Sequence, residues 1–537
     1  MAEVVLTTDR TMMSNHHGKE FLGFGATGVP LLMPEKMWMY LFAPKIKNHN
    51  GLPAQAPYGM RKIEAVLQDA GIDAKIVDPA HLKKHLSDAK VLMFSHHDYF
   101  GFGPPSSTFA SLFQTDPLNA RSFCRLIESE EVREAKRRGA IFIAGGPSAW
   151  QWKYREEERK KWGIDTVVEG EGEKIVVPLV KKALEGEKLP EWVEAHPRRD
   201  APDISEIPLI KAPSVNGLVE VSRGCPRGCK FCSVTLRPFR HIPLEKIEKE
   251  ILVNVNGGVQ DGVLLAEDVL LYGQESIYPR ADRVLPLVEM AKRHYRRVVF
   301  SHMSIAAMVY SERKERLISR ITEVLLDENQ KFWGAEIGVE TGSPRLAEKI
   351  MPAKAKPFKT SEWPELVLEA VGVMEDNNVI PAMTLIAGLP EETEDDVLRT
   401  IELVEDLGDF RGLIVPLFFV PMGMLDDRDW FTRYKMSDVH MELLRACLTH
   451  GIKQAKNILD IYLQGYWYGP ILRGGLSFFL KRVESAARKH GYLRENTAMH
   501  RKSSIGERRD GETRYVGGEV GGEEMHGRDR EGAAAEA

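Results

Sequence analysis

From about Pro53 onward, short apolar runs alternate with stretches whose apolar residues recur at helical spacing. Gly59 to Ala70 is amphipathic at helical period, and Ala74 to Asp78 reads as a strand. Lys90 to Ser95 (KVLMFS) and Ala140 to Ala144 (AIFIA) are buried strands on either side of a charged helix at 119–138. Thr166 to Val168 adds a further short strand. Strands alternating with helices predict a parallel, doubly wound sheet over 53–185. Ligands of such sheets sit beyond the C-terminal strand ends, so loops 96–107 and 145–152 form the candidate ligand face. Residues 1–52 lack this alternation and read as an N-terminal extension. They contain one aromatic, apolar stretch, Val29 to Ile46. Residues 186–212, rich in Pro, Glu and Arg, read as a linker.

A second alternation occupies 213–429. Strands are predicted at Leu218–Ser222, Gly262–Ala266, Arg297–His302, Trp333–Val339, Pro381–Ala387 and Gly412–Val420. Helices fall between them at Pro243–Val255, Val284–Tyr295, Trp363–Asn377 and Glu392–Gly408. Six βα units in a row predict a partial (β/α)6 barrel with its chemistry at the C-terminal strand ends. Residues 430–500 read as a helical C-terminal region. The tail, 501–537, is charged, glycine-rich and nearly free of large apolar side chains, a composition that predicts disorder. The fold class is therefore α/β in at least two domains, as a chain of 537 residues requires.

Composition narrows the chemistry. Hydrophobic residues make up 43% and charged residues 28%, the balance of a folded globular protein. A net charge of −5 provides no overall field for nucleic acid, which is not expected as a partner. Five cysteines are too few for a disulfide framework, and Cys225, Cys229 and Cys232 crowd into eight residues, as metal ligation in a reducing compartment would have them. No apolar leader or membrane-length apolar run is present, so a cytoplasmic location is expected. Gly23-Phe24-Gly25-Ala26-Thr27-Gly28 matches the dinucleotide-binding glycine pattern. It does not lie between a buried strand and a helix, so it reads as a plain glycine loop.

The run Cys225-Pro226-Arg227-Gly228-Cys229-Lys230-Phe231-Cys232 can wrap three thiolates around one corner of a cubane cluster. Ordinary [4Fe–4S] carriers use four cysteines. Neither Cys124 nor Cys447 lies in a comparable loop, so one iron is left open to bind a substrate, by the logic of open catalytic metal sites. A zinc site would want a fourth ligand, for which His241 is the nearby candidate. With Phe231 before its third cysteine, the motif resembles the radical S-adenosylmethionine (SAM) superfamily.

That resemblance extends down the chain. Ala266-Glu267-Asp268 stands where family members carry Gly-Gly-Glu or paired acids that accept hydrogen bonds from the SAM amino group; which of Glu267 and Asp268 does so stays open. Ser301 and His302, at the third strand end, are implied to face the methionyl end of SAM. Glu340, in Ile337-Gly338-Val339-Glu340-Thr341-Gly342-Ser343, matches a motif that approaches the SAM ribose. Ile386, Gly388 and Glu391 match the fifth-strand motif that packs on adenine.

A doubly wound domain ahead of such a barrel resembles the cobalamin-binding (B12) branch of the superfamily, whose N-terminal domain is Rossmann-like. The likeness is carried by Gly145-Gly146-Pro147 and by Asp165-Thr166-Val167-Val168-Glu169-Gly170-Glu171-Gly172-Glu173. In that branch these glycine turns form a flat surface above which the corrin lies, glycine permitting close approach. The Asp-x-His-x-x-Gly motif that supplies a cobalt ligand elsewhere is absent. His96 and His97 follow the second strand, and either could ligate cobalt; an ordinary polar loop is the alternative.

The implied cofactors are a [4Fe–4S] cluster, SAM and cobalamin, with an external electron donor of ferredoxin or flavodoxin type. The resemblance implies reductive cleavage of SAM to methionine and a 5′-deoxyadenosyl radical. That radical takes hydrogen from an unactivated carbon, ahead of C-methylation or C–C bond and ring formation. No residue is singled out as catalytic in its own right. Three readings compete. Ile461 to Leu480 and Leu31 to Ile46 pair aromatic with aliphatic residues near Lys and Arg, which suits a membrane interface and a lipid substrate. Here the chain faintly resembles archaeal synthases that build rings into tetraether lipids. A methyltransferase for a small metabolite or peptide would instead bury those segments. A non-catalytic Fe–S or B12 sensor would have a fully ligated cluster. A methylthiotransferase for RNA is disfavoured, because such enzymes carry a second cysteine cluster in the N-terminal domain, where only Cys124 stands.

Overall fold

Val4–Thr7 (β1) is wholly buried and pairs in parallel with Ala74–Ile76 (β2) on one side and Val91–Ser95 (β3) on the other. In this computed structural model, which describes residues 2–19, 22–30, 33–463, 469–489, 491 and 493, the segment expected to be an extension thus supplies a central strand. Three apolar residues and a threonine are too few to show a period, and both partners of β1 lie far along the chain. Ile141–Gly145 (β4), Thr166–Glu169 (β5) and Trp192–Glu194 (β6) complete a six-stranded parallel sheet of order β2-β1-β3-β4-β5-β6. The last of these strands lies within the expected linker, where three residues among charged neighbours leave no pattern to read.

Both faces of this sheet are covered, and its side chains divide with the period of two that a strand imposes. Val5, Leu92, Phe94, Phe142, Ala144 and Val167 enter one core, with Phe123 and Trp152. Val4, Leu6, Val91, Met93, Ile143 and Val168 enter the other, with Met60 and Val176. The strand order reverses between β1 and β3, and ligands of doubly wound sheets bind outside the strand ends at such a point.

The second sheet runs Leu218–Glu220 (β7), Asp261–Leu265 (β8), Arg297–Phe300 (β9), Glu336–Glu340 (β10), Ala382–Ala387 (β11) and Leu413–Phe418 (β12). Strands β7 to β9 pair in parallel, as do β10 to β12. The two triplets are joined by Phe300 N–H to Gly334 O (3.1 Å) and Glu336 N–H to Ser301 O (2.8 Å). The result is the expected partial barrel, with helices such as Leu244–Asn256, Ala281–His294 and Trp363–Asp376 in the connections and one continuous apolar core.

The C-terminal region is helical at Asp438–Tyr462 and Gly469–Lys489. Helix Gly469–Lys489 packs on Glu35–Phe42 from the chain's beginning. The rings of Trp38 and Phe42 lie 5.0 and 5.4 Å from Phe479, and Leu41, Leu472 and Leu476 are buried. Among the described residues of the two aromatic segments, Trp38, Leu41, Phe42, Leu472 and Leu476 are spent on the fold, while Met37, Tyr40, Ile471 and Phe478 remain exposed. Gly23–Ala26 is a helical turn rather than a loop, with Gly25 so close beneath the Phe42 ring that a Cβ would lie 2.0 Å from it. No helix of the described residues is long and apolar enough to cross a membrane. Leu31, Leu32, residues 464–468 and the tail 501–537 fall outside the described residues.

Candidate functional site

The cysteine loop leaves the barrel through a small neck. Ser222–Arg223 and Arg240–His241 pair antiparallel, Arg223 opposite Arg240, and the loop between them holds all three cysteines. Cys229 is buried; Cys225 and Cys232 are half-buried. Gly228 takes φ +66°, a left-handed turn that lets the chain double back between the first two thiols. Arg227, 3% exposed, pins the loop from below. Its guanidinium donates to the carbonyls of Ala353 (3.2 Å), Lys354 (3.1 Å) and Lys356 (3.3 Å) and to Ser304 Oγ (2.8 Å). Above, Met424 N–H donates to Lys230 O (2.8 Å), and a Cβ on Gly423 would lie 2.7 Å from the Cys232 backbone.

Burial pushes the Cys225 thiol up to about 12; it pushes Cys232 up to about 11, with the charge of Glu267 adding to the rise. Such thiols stay protonated until a metal displaces the protons, as it does for coordinating thiols generally. Three soft donors on one loop fit an iron–sulfur cluster. Among the described residues no three His, Cys, Asp or Glu side chains converge tightly enough to hold a single ion. His241 is committed elsewhere: Nε2 to Gln274 O (2.6 Å), and Nδ1 to Gly273 N–H (3.2 Å).

The two acids after β8 part company. Glu267 is exposed to a large cavity at the barrel mouth. Asp268 is buried: its carboxylate accepts from Leu270 N–H (3.2 Å) and from Ser304 Oγ and lies 3.6 Å from Arg227. Asp268 thus braces the cysteine loop rather than facing the cavity. Ser301 lines the cavity, but its hydroxyl is spent on Ala266, donating to the carbonyl (2.8 Å) and accepting from the amide (3.0 Å). His302, beside it, faces Glu336 across 3.5 Å. Burial opposes its charge, but the hydrogen bond and charge of Glu336, helped by Glu267, raise its pKa to about 9.

Glu340 sits at a register shift in β10 with φ +64°. Its carboxylate accepts from Lys354 Nζ and from Thr384 Oγ1 (3.2 Å). Gly338 makes room for this pair, since a Cβ there would lie 2.0 Å from Glu340 Oε1. Lys354 is buried, with Nζ 5.9 Å from the Phe231 ring centre. Although desolvation opposes it, Glu340 and the neighbouring Cys229 raise its pKa and keep it cationic. Neither Arg227 nor Lys354 stood out in the sequence; only the cysteine spacing around Arg227 hinted at a role. Ile386 packs against the barrel core, and Gly388 lies under Phe431, whose ring a Cβ would meet at 2.0 Å. Glu391 does not join the site. With φ +66° it turns to the surface and pairs with Lys349 (2.6 Å). Its neighbour Glu392 turns back instead, accepting from Gly388 N–H (2.6 Å).

The same cavity, about 1230 Å³, extends across to the N-terminal sheet and exceeds the roughly 300–1,000 Å³ of ordinary small-molecule pockets. His97, Gly145, Gly146, Pro147 and Gly170 line it. Gly170 takes φ +100°, and a Cβ there would lie 2.8 Å from Ala195 O. Glu169 is not in the lining; it pairs with Lys153 (2.8 Å). Ser222 Oγ, buried against the cavity, has no protein partner, an orphaned polar atom of the kind a bound group satisfies. The glycine cradle, the volume and this hydroxyl together fit a large flat macrocycle.

His96 is corrected as a cobalt ligand. It is buried; Asp98 N–H donates to its Nδ1 (2.8 Å), which leaves Nε2–H to donate to Asp9 Oδ1 (2.6 Å). Burial pushes the Asp9 carboxyl up, but His96 and the hydrogen bonds of Ser122 and Thr11 outweigh it and hold it below its usual range. Both ring nitrogens are thus occupied: Nε2 ties the loop after β3 to the loop after β1 at the switch point, and Nδ1 closes a local turn. Both histidines border the cavity, but the ring nitrogens of His96 are already engaged.

Residues 219–404 match the Radical SAM superfamily. An uncharacterized protein from Methanopyrus kandleri is 32% identical over 176 residues, 32% of each chain. The ribosomal protein uS12 methylthiotransferase RimO of Pseudothermotoga lettingae is 25% identical over 194 residues, 35% of this chain and 40% of that one. The chain thus spans about a third to two-fifths of the length of these relatives. Among solved structures, the radical S-adenosylmethionine methyltransferase TsrM from Kitasatospora setae, with tryptophan substrate and a SAM analog bound, superposes with a TM-score of 0.52. It is 14% identical, covering 79% of this chain and 75% of that one, so the likeness is one of fold.

Proposed function

We propose that this chain, whose residues 219–404 form a radical SAM domain, is a cobalamin-dependent radical SAM enzyme that functionalises an unactivated carbon of an apolar substrate. The observation that carries this reading is the single cavity shared by the cysteine-loop side of the barrel and the glycine-lined edge of the N-terminal sheet. When bound, the cluster and SAM supply a 5′-deoxyadenosyl radical, and methylcobalamin supplies a methyl group. The protein's part is to bind, orient and exclude water. Cys225, Cys229 and Cys232 hold the cluster, and Glu267 accepts from the SAM amino group. Gly145, Gly146 and Gly170 give the corrin a close backbone floor. A one-electron donor of ferredoxin or flavodoxin type completes the cycle.

The apolar substrate is supported by the cavity's far reach. Its lining includes Val263, Leu265 and Val299 of the barrel strands and the basic Lys19, Arg296 and Arg297. An extended chain with a polar end, such as a membrane lipid, suits that shape. A second reading, methylation of a small metabolite or peptide, is favoured by the burial of Trp38, Leu41 and Phe42 against the C-terminal helix.

The test is to purify the protein without oxygen, reconstitute iron and sulfide, add hydroxocobalamin and record the spectrum. SAM and dithionite then follow, with an assay for 5′-deoxyadenosine. Corrin bands with deoxyadenosine support the reading, and lipid extracts against small-molecule pools then separate the two substrate classes. Deoxyadenosine without retained corrin removes cobalamin and methyl transfer. An intact cluster with neither product makes the chain a sensor.

A further inference from the structure

The neck of the cysteine loop is built from an unfavourable pair. Arg223 and Arg240 are cross-strand partners, and like charges directly opposite one another destabilise a ribbon. What offsets them comes from the other domain. Glu171, in the turn after β5, accepts from Arg240 Nη2 (2.6 Å) through one oxygen and from Arg223 Nη1 (3.2 Å) through the other. Glu173 accepts from Arg223 Nη2 (2.7 Å), and Glu220, at the end of β7, accepts from Nε (2.8 Å). Every nitrogen of the Arg223 guanidinium therefore has a carboxylate, two of the three supplied by the N-terminal domain. The side chains of Arg223, Glu171 and Glu173 are only 10%, 7% and 5% exposed.

We propose that the Glu171-Gly172-Glu173 turn is a grip on this neck, and that Glu171 and Arg223 are positioning residues fixing the corrin sheet relative to the cluster. The turn has two duties at once. Gly170 and Gly172 give backbone to the cavity, while the acids between and after them hold the strand that enters Cys225. A lateral shift of either domain would separate buried charges from their partners, which is costly in a dry setting. A lysine cannot replace Arg223, because one ammonium cannot meet three carboxylates in a planar fork. The grip rests on the reading of the cavity as a shared cofactor site.

The test uses the full chain, reconstituted with iron, sulfide and hydroxocobalamin and reduced so that cobalt and cluster are both paramagnetic. Pulsed electron paramagnetic resonance then gives the distribution of distances between them in wild type, Glu171→Gln and Arg223→Lys. A chelator measures in parallel how fast iron is stripped from the cluster. A broadened distribution at unchanged iron and corrin content, with iron loss about tenfold faster, is expected. Unchanged distributions and stripping rates in both variants overturn the grip. So does weaker corrin retention in Glu171→Gln with unchanged stripping, which would make Glu171 a direct ligand contact. If wild type retains no corrin, the shared-site reading fails, and faster stripping in Glu171→Gln would still uphold the hold on the neck. Should Arg223→Lys fail to fold, the isosteric Glu171→Gln carries the test alone.

Discussion

Glu267 and Asp268 are neighbours with different work, and substitutions should separate them. Glu267→Gln removes a charge-assisted acceptor from the cavity wall, worth about 1.5–3 kcal/mol, so SAM affinity should fall by roughly 10- to 100-fold at unchanged iron content. Asp268→Asn breaks a buried ion pair with Arg227, which costs about 3–5 kcal/mol, and should show as lost thermal stability and lost cluster. Calorimetric titration with SAM and an iron assay read the two effects. His96→Ala should cost a similar amount, because it leaves Asp9 buried without its partner, yet leave the spectrum of any bound corrin unchanged. His302 gives a pH signature. Its folded pKa, about 9, lies above the roughly 6.5 of a free histidine. The stabilisation it confers is therefore complete below about pH 6.5 and disappears as pH rises through about 9. Melting temperatures of wild type and His302→Gln should differ at pH 6 and converge by pH 10. The letters named these residues as candidates but could not divide the work among them. After a strand ends, its period of two ends with it, so adjacent acids cannot be sorted until the turn Val269–Leu271 is seen to take Asp268 as its cap.

At the level of elements, the strands of both sheets that are buried on both faces were legible, because they read as near-continuous apolar runs. Strand β1 was not, being short and paired only with distant segments, and edge strand β6 was not, being three residues among charged neighbours. The cysteine loop was legible by its spacing. The Arg227 brace was not, since its acceptors are mostly backbone carbonyls that any sequence provides. The helix Glu35–Phe42 reads, as a string, like a membrane-surface segment; its helical period turns Trp38, Leu41 and Phe42 toward Leu472 and Leu476, a contact the string does not show. Trp38→Ala should then destabilise by about 3–5 kcal/mol in denaturant unfolding. Tyr40→Ser, on the exposed side of the same helix, should stay within about 0.5 kcal/mol.

For the whole molecule, the two sheets share one cavity and one buried charge cluster, so neither domain is complete without the other. The fold class was readable; the grip was hidden because Glu171 and Arg223 are 52 residues apart in a charged sequence. The contact between Glu35–Phe42 and Gly469–Lys489 has a consequence in time. A ribosome adds about 5–20 residues each second, and the covering helix lies roughly four hundred residues downstream, so Trp38 and Phe42 wait about 20–80 s for their partner. During synthesis that short helix is an uncovered apolar face, and a chaperone that binds nascent chains has there a long-lasting target.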